Sequence, residues 1–130
     1  MKRNVMLTIA SLLSILFTTF HLTDDIVRGM SPGGVSNLAV VLVLVVWLYG
    51  TLVLAERRSG YVIILVASLL GSGLPVVHMI GKGGVVGGAI AKSSGAFFFA
   101  WTLIALGVTA IFSVILSARG LWSLQWGKSR

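Results

Sequence analysis

Hydrophobic positions fill four long windows of this chain, and charged positions fall only between those windows or at the two ends. The uncharged windows are Asn4–Thr23, Gly29–Ala55, Ser59–Gly81 and Ser93–Ala118. An isolated charge is expensive in hydrocarbon, and a helix needs ~20 apolar residues to cross it. The pattern predicts an all-α fold: an integral membrane bundle of four antiparallel transmembrane helices with short loops. The expected spans are Val5–Leu22, Leu38–Ala55, Tyr61–Ile80 and Ala96–Ala118. The second span is dense in valine, but it is too long for a strand of about 4–8 residues. Four spans use nearly the whole chain, so residues 1–130 read as one domain.

The connectors carry their own signals. Thr23–Ser36 contains the turn sequence Ser31-Pro32-Gly33-Gly34, and Asp24 is placed to cap a short interfacial helix over Asp25–Met30. Glu56-Arg57-Arg58-Ser59-Gly60 reads as a tight hairpin. Gly71, Gly73 and Pro75 predict a kink late in the third span. Gly81–Gly95 is a glycine-rich connector, and Gly120 is a natural stop for the fourth helix. Residues 119–130 alternate tryptophan with basic residues and are expected on a membrane surface.

Charge then sets orientation. Lys2, Arg3, Arg57, Arg58, Arg119, Lys128 and Arg130 lie on one side of the predicted bundle, against Arg28, Lys82 and Lys92 on the other. The basic excess marks the cytoplasmic side, so both termini are expected there, in the inner (cytoplasmic) membrane. Trp47, Tyr49, Tyr61, Trp122 and Trp126 would mark the inner interface, and Phe97–Phe99 with Trp101 the outer one. Met1-Lys2-Arg3 before an apolar stretch resembles a secretory signal, but no small-residue cleavage site follows, so an uncleaved first span is expected. Only 10% of residues are charged, where soluble domains carry about 25%. The net charge of +7 is spread over loops and ends, which fits contact with anionic lipid and not with nucleic acid. Cysteine is absent, which excludes disulfides, thiolate nucleophiles and iron–sulfur clusters.

Candidate chemistry comes from helical phase. Ser11, Ser14, Thr18, His21 and Asp25 recur at steps of 3, 4, 3 and 4 and share one face of the first span. Ser68, Gly71, Pro75, His78 and Lys82 repeat those steps on the third. Small and hydroxyl residues on membrane helices favour helix contact, so Ser11, Ser14, Thr18, Ser68 and Gly71 are expected to pack inside the bundle. Ala105, Thr109, Ser113 and Ser117 form a matching face on the fourth span, with Ala96 and Ala100 adding a small pair at its start. His21 and His78, the only histidines, fall near the outer ends of two helices that run the same way. If those helices touch, both imidazoles reach one b-type haem iron or one transition metal, and Asp25 completes a metal site. A histidine near a membrane interface also commonly just hydrogen-bonds to a carbonyl or water, and Asp25 can simply pair with Arg28.

Several functions lose support on residues alone. Gly81-Lys82-Gly83-Gly84 lacks the order of a phosphate-binding loop. Proton-coupled transporters usually hold an acid within a span. Here Glu56 falls in a loop and both aspartates near a helix end, and the first span lacks the glutamate expected of a small multidrug exporter. No nucleophile–base–acid arrangement is evident, so an enzyme is not expected. The leading expectation is an accessory or structural subunit that packs against other membrane subunits or copies of itself. A haem- or metal-binding redox protein using His21 and His78 is the alternative, and an oligomeric pore or transporter a distant third.

Overall fold

The computed structural model describes residues 4–31, 33–80 and 94–127. Those residues form four helices, α1 (Val5–Val27), α2 (Val35–Leu52), α3 (Arg58–Ile80) and α4 (Ala96–Trp126), with no strand among them. Each helix is long and apolar enough to cross a membrane. The glycine-rich connector expected over Gly81–Gly95 lies outside the described residues except for its last two positions.

Helix ends differ from the expected spans for local reasons. Asn4 starts α1 by accepting a hydrogen bond from the Leu7 amide through Oδ1, 3.2 Å. The helix then runs past Leu22 to Val27, so the separate helix expected over Asp25–Met30 does not form. Nothing in Thr23-Asp24-Asp25-Ile26 breaks the backbone ladder before Gly29, which takes a left-handed φ of 69°. Both aspartates therefore sit in α1, not in a connector. The second helix enters through Gly34 (φ 55°, ψ −128°), a backbone region essentially closed to other residues. The fourth continues through Gly120 to Trp126, which corrects the expected stop at Gly120.

The bundle is arranged around α4. It packs most extensively on α3 and then on α1. Among the described residues, α2 packs on α3 and α1, and its backbone does not come close to that of α4. Helices α1 and α3 make only slight contact across the centre. Close packing of these helices relies on small residues, as expected where apolar burial cannot discriminate helix from lipid. Ser11, Ser14, Ser68, Ser113 and Ser117 are wholly buried, and Thr18, Gly71, Ala105 and Ala110 are also buried. Thr109 is half-buried at the edge of the same face.

Most of these hydroxyls are satisfied within their own helix. Ser14 donates to the Ala10 carbonyl at 2.9 Å, Thr18 to Ser14 at 2.7 Å, and Ser113 to Thr109 at 2.9 Å. One cluster instead joins two helices. Trp47 Nε1 donates to Ser11 Oγ at 2.9 Å, and Ser11 Oγ lies 2.7 Å from Thr51 Oγ1, which donates to the Trp47 carbonyl at 2.8 Å. Trp47 is thus buried at the α1–α2 contact and does not mark an interface with lipid headgroups. Phe99 likewise departs from the expected outer girdle: it is completely buried against Leu103.

Gly120 has a packing role. A Cβ there would overlap the Tyr61 ring of α3, which lies flush on the α4 backbone at that point. The expected outcome of Gly120→Ala is therefore a lower thermal midpoint in detergent, from overpacking that costs roughly 1–3 kcal/mol. If the glycine were only a weak helix former, alanine would raise stability by ~1 kcal/mol instead. Thermal unfolding followed by circular dichroism separates the two signs.

Candidate metal centre

At one end of the bundle, three side chains converge from two helices. His21 and Asp25 project from α1 one turn apart, and His78 projects from α3, two turns after Gly71 brings that helix close to Trp47 and Ala110. The slight α1–α3 contact is thus enough to bring the two histidines together, with ring centroids 4.8 Å apart in an edge-on arrangement. Phe99 closes the other side of His21 at 5.2 Å. One ligating atom from each of His21, Asp25 and His78 can be chosen so that all lie within 4.8 Å of one another.

Asp24 and Asp25 have different hydrogen-bond partners. Arg28 Nε donates to Asp24 Oδ2 at 2.7 Å, not to Asp25. That hydrogen bond holds the Arg28 guanidinium still further above its ordinary range. The expectation of an Asp25–Arg28 pair is replaced by an Asp24–Arg28 pair, because the i to i+4 spacing puts Asp24 and Arg28 on one face. Asp25 is turned toward the histidines, with Oδ2 at 3.4 Å from His21 Nε2 and 3.8 Å from His78 Nε2. Two carboxylates near a helix C-terminus oppose its dipole, so each is helped by a cation. Asp24 has Arg28.

The hydrogen-bond state of the three groups is unusual for a buried site. Among the described residues, neither ring nitrogen of His21 has a hydrogen-bond partner, and Asp25 Oδ1 has none either. The 3.4 Å approach of His21 to Asp25 is an electrostatic contact without hydrogen-bond geometry. His78 is different: its Nδ1 lies 3.0 Å from the Leu74 carbonyl. A carbonyl only accepts, so Nδ1 carries the proton and, in the neutral ring, Nε2 carries a lone pair aimed toward Asp25. A lone pair and a carboxylate at 3.8 Å repel unless a proton or a metal cation stands between them. Backbone anchoring of the far nitrogen is also the usual way a protein orients a metal-ligating histidine.

Distances fit a small ion better than a haem. Donors bound to one tetrahedral zinc ion at 2.0–2.1 Å are about 3.4 Å apart. The two Asp25 contacts lie at or near that spacing, and the widest separation in the trio, 4.8 Å, must close by about 1.4 Å. The two imidazoles touch edge to face, which leaves no slot between them for a flat macrocycle.

A cavity of about 220 Å³ opens beside the trio, lined by Thr18, His21, Asp25 and His78 with Met30, Ser31 and Asn37 among its other walls. Those last three come from the α1–α2 turn and the first turn of α2, which helical phase does not connect with the histidines. Ser31 Oγ hydrogen-bonds Asn37 Oδ1, and the Gly33 amide donates to Ser31 Oγ at 3.3 Å. The turn is thereby folded back over the histidine end.

Fold and site together define a small all-helical protein with four helices suited to crossing a membrane and, at one end, a polar cluster of residues that could hold a metal ion. The chain matches no known protein family, no curated protein and no solved structure.

In chelator-treated protein, His21→Leu is expected to raise the thermal midpoint. It removes two buried nitrogens without partners, each a liability of roughly 1–3 kcal/mol, and retains apolar contact with Phe99. Melting curves of wild type and variant, recorded with and without chelator, test the effect.

Proposed function

We propose that this chain is a small multi-pass membrane protein that binds one divalent transition-metal ion through His21, Asp25 and His78. The observation that carries the proposal is the buried His21 ring, both of whose nitrogens lack a hydrogen-bond partner among the described residues, facing a carboxylate that likewise lacks one on one oxygen. A protonated pair would normally be drawn into a hydrogen bond, whereas donors awaiting an ion need not be. Imidazole with carboxylate suits zinc, copper or iron. A haem would use the same two histidines, and the edge contact of the rings favours the bare ion. The role proposed is binding, not catalysis. The basic excess around Arg57, Arg58 and Arg119 supports placing the termini on the cytoplasmic side of a cytoplasmic membrane, which puts the metal near its outer face.

Elemental analysis of gently purified protein is expected to find about one metal ion per chain, because a site of this kind binds with its folding. His21→Ala and His78→Ala should each abolish uptake of the same ion, and Asp25→Asn should weaken it about a hundredfold. An absorption spectrum recorded oxidised and dithionite-reduced identifies a haem if a Soret band appears. A metal-free protein, or independent effects of the two histidines, rejects the proposal.

A second reading, an accessory subunit packed against other membrane subunits or itself, draws support from α2. Of its eighteen residues only Trp47, Gly50 and Thr51 are buried, and a groove of about 430 Å³ lined by residues such as Leu42, Val46, Val62 and Val66 runs between α2 and α3. Purification in mild detergent should then retain a stoichiometric partner or a defined oligomer, and a stable monomer counts against this reading.

A further inference from the structure

We infer that the metal held by His21, Asp25 and His78 keeps a coordination position open to the adjoining cavity and binds a small monoanion there. The inference rests on the metal reading above. Protein sites that close around zinc supply four donors, whereas sites with three leave a position for water or another exchangeable ligand. Among the described residues, this cluster supplies three. Two of the three hydroxyl groups in the cavity wall are already engaged, Ser36 being the third: Thr18 Oγ1 donates to the Ser14 carbonyl at 2.7 Å, and Ser31 is bonded to Asn37. These two line the space without being drawn toward the ligand trio.

Charge identifies the class of ligand. A dication held by one carboxylate and two neutral imidazoles carries a net charge of +1. Asp24 and Arg28, the nearest further charges in sequence, cancel each other at 2.7 Å. The surrounding helices are apolar, and an uncompensated charge is disfavoured in such surroundings. A monoanion on the metal makes the centre neutral, which a neutral donor cannot do. Space is sufficient: the cavity holds about 220 Å³, against ~30 Å³ for one water molecule in the liquid. Hydroxide, azide or a small carboxylate fits there.

The test uses the full chain in detergent, stripped with chelator and reloaded with Co²⁺, whose visible bands report coordination number. Titration with sodium azide is expected to shift those bands saturably. Val40→Phe and Leu22→Phe each place a bulky ring in the cavity wall away from the metal donors. Both should retain cobalt and bind azide at least about tenfold more weakly. Cobalt uptake with bands unmoved by azide means that a fourth protein donor closes the site and overturns the inference while leaving the metal reading intact. Azide binding at wild-type strength in both phenylalanine variants places the anion elsewhere and also overturns it. Failure of wild-type protein to take up cobalt removes both readings.

Discussion

Polar groups in so apolar a chain have to find their partners inside the chain, and this requirement organises the whole bundle. Buried serine and threonine side chains mostly meet it by donating to the carbonyl one turn back, as Ser14, Thr18, Ser113 and Ser117 do. That solution lets a hydroxyl sit at a helix contact without a partner on the neighbouring helix. It keeps those contacts thin enough for helices to approach closely. Where a hydroxyl does bond across helices, at Ser11 and Thr51, the Trp47 indole joins it and pins α2 to α1. This bond matters because α2 has so few other buried residues.

Against that background, the exceptions stand out. Among the described residues, Ser68 Oγ, one Glu56 oxygen, both His21 nitrogens and one Asp25 oxygen are buried without hydrogen bonds. Ser68 and Glu56 are single groups in separate places. His21 and Asp25 are adjacent, and His78 joins them from a different helix, so three groups able to ligate a metal meet where, among the described residues, such exceptions cluster. A buried donor or acceptor left unpaired costs roughly 1–3 kcal/mol, and clustering such groups is unfavourable unless something binds between them. The metal reading follows from that cost, with the Asp24–Arg28 bond explaining why Asp25 rather than Asp24 is the available carboxylate.

Helical phase makes much of this legible in the residues alone. The steps that place Ser11, Ser14, Thr18, His21 and Asp25 on one face of α1 are also the steps that bury the first four of them. Phe99 is the instructive miss. Residue type groups it with Phe97 and Phe98 as an interface aromatic, yet it lies in phase with Leu103, Leu106, Ala110, Ser113 and Ser117, all buried. Trp47 likewise precedes Thr51 by one turn, and both face α1. For these two rings, phase is the better guide than residue type. Gly120 is the converse case. Its sequence signal, a glycine near a helix end, is shared by stops and close contacts, and only the position of Tyr61 distinguishes them.

Helix count, the approximate extent of each helix and the faces that turn inward follow from the residues, because charge spacing and helical period act within one segment at a time. Whether His21 and His78 meet is settled only in three dimensions. That depends on which helices are neighbours: α4 packs on both α1 and α3, α2 does the same without its backbone coming close to α4, and α1 and α3 are left touching across the centre. The same holds for Met30, Ser31 and Asn37, which reach the site because the α1–α2 turn folds back over it. Phase is a property of one helix and can be read from its residues. Adjacency is a compromise among all four helices, set by where glycine, alanine and serine let backbones approach, and no single segment contains it.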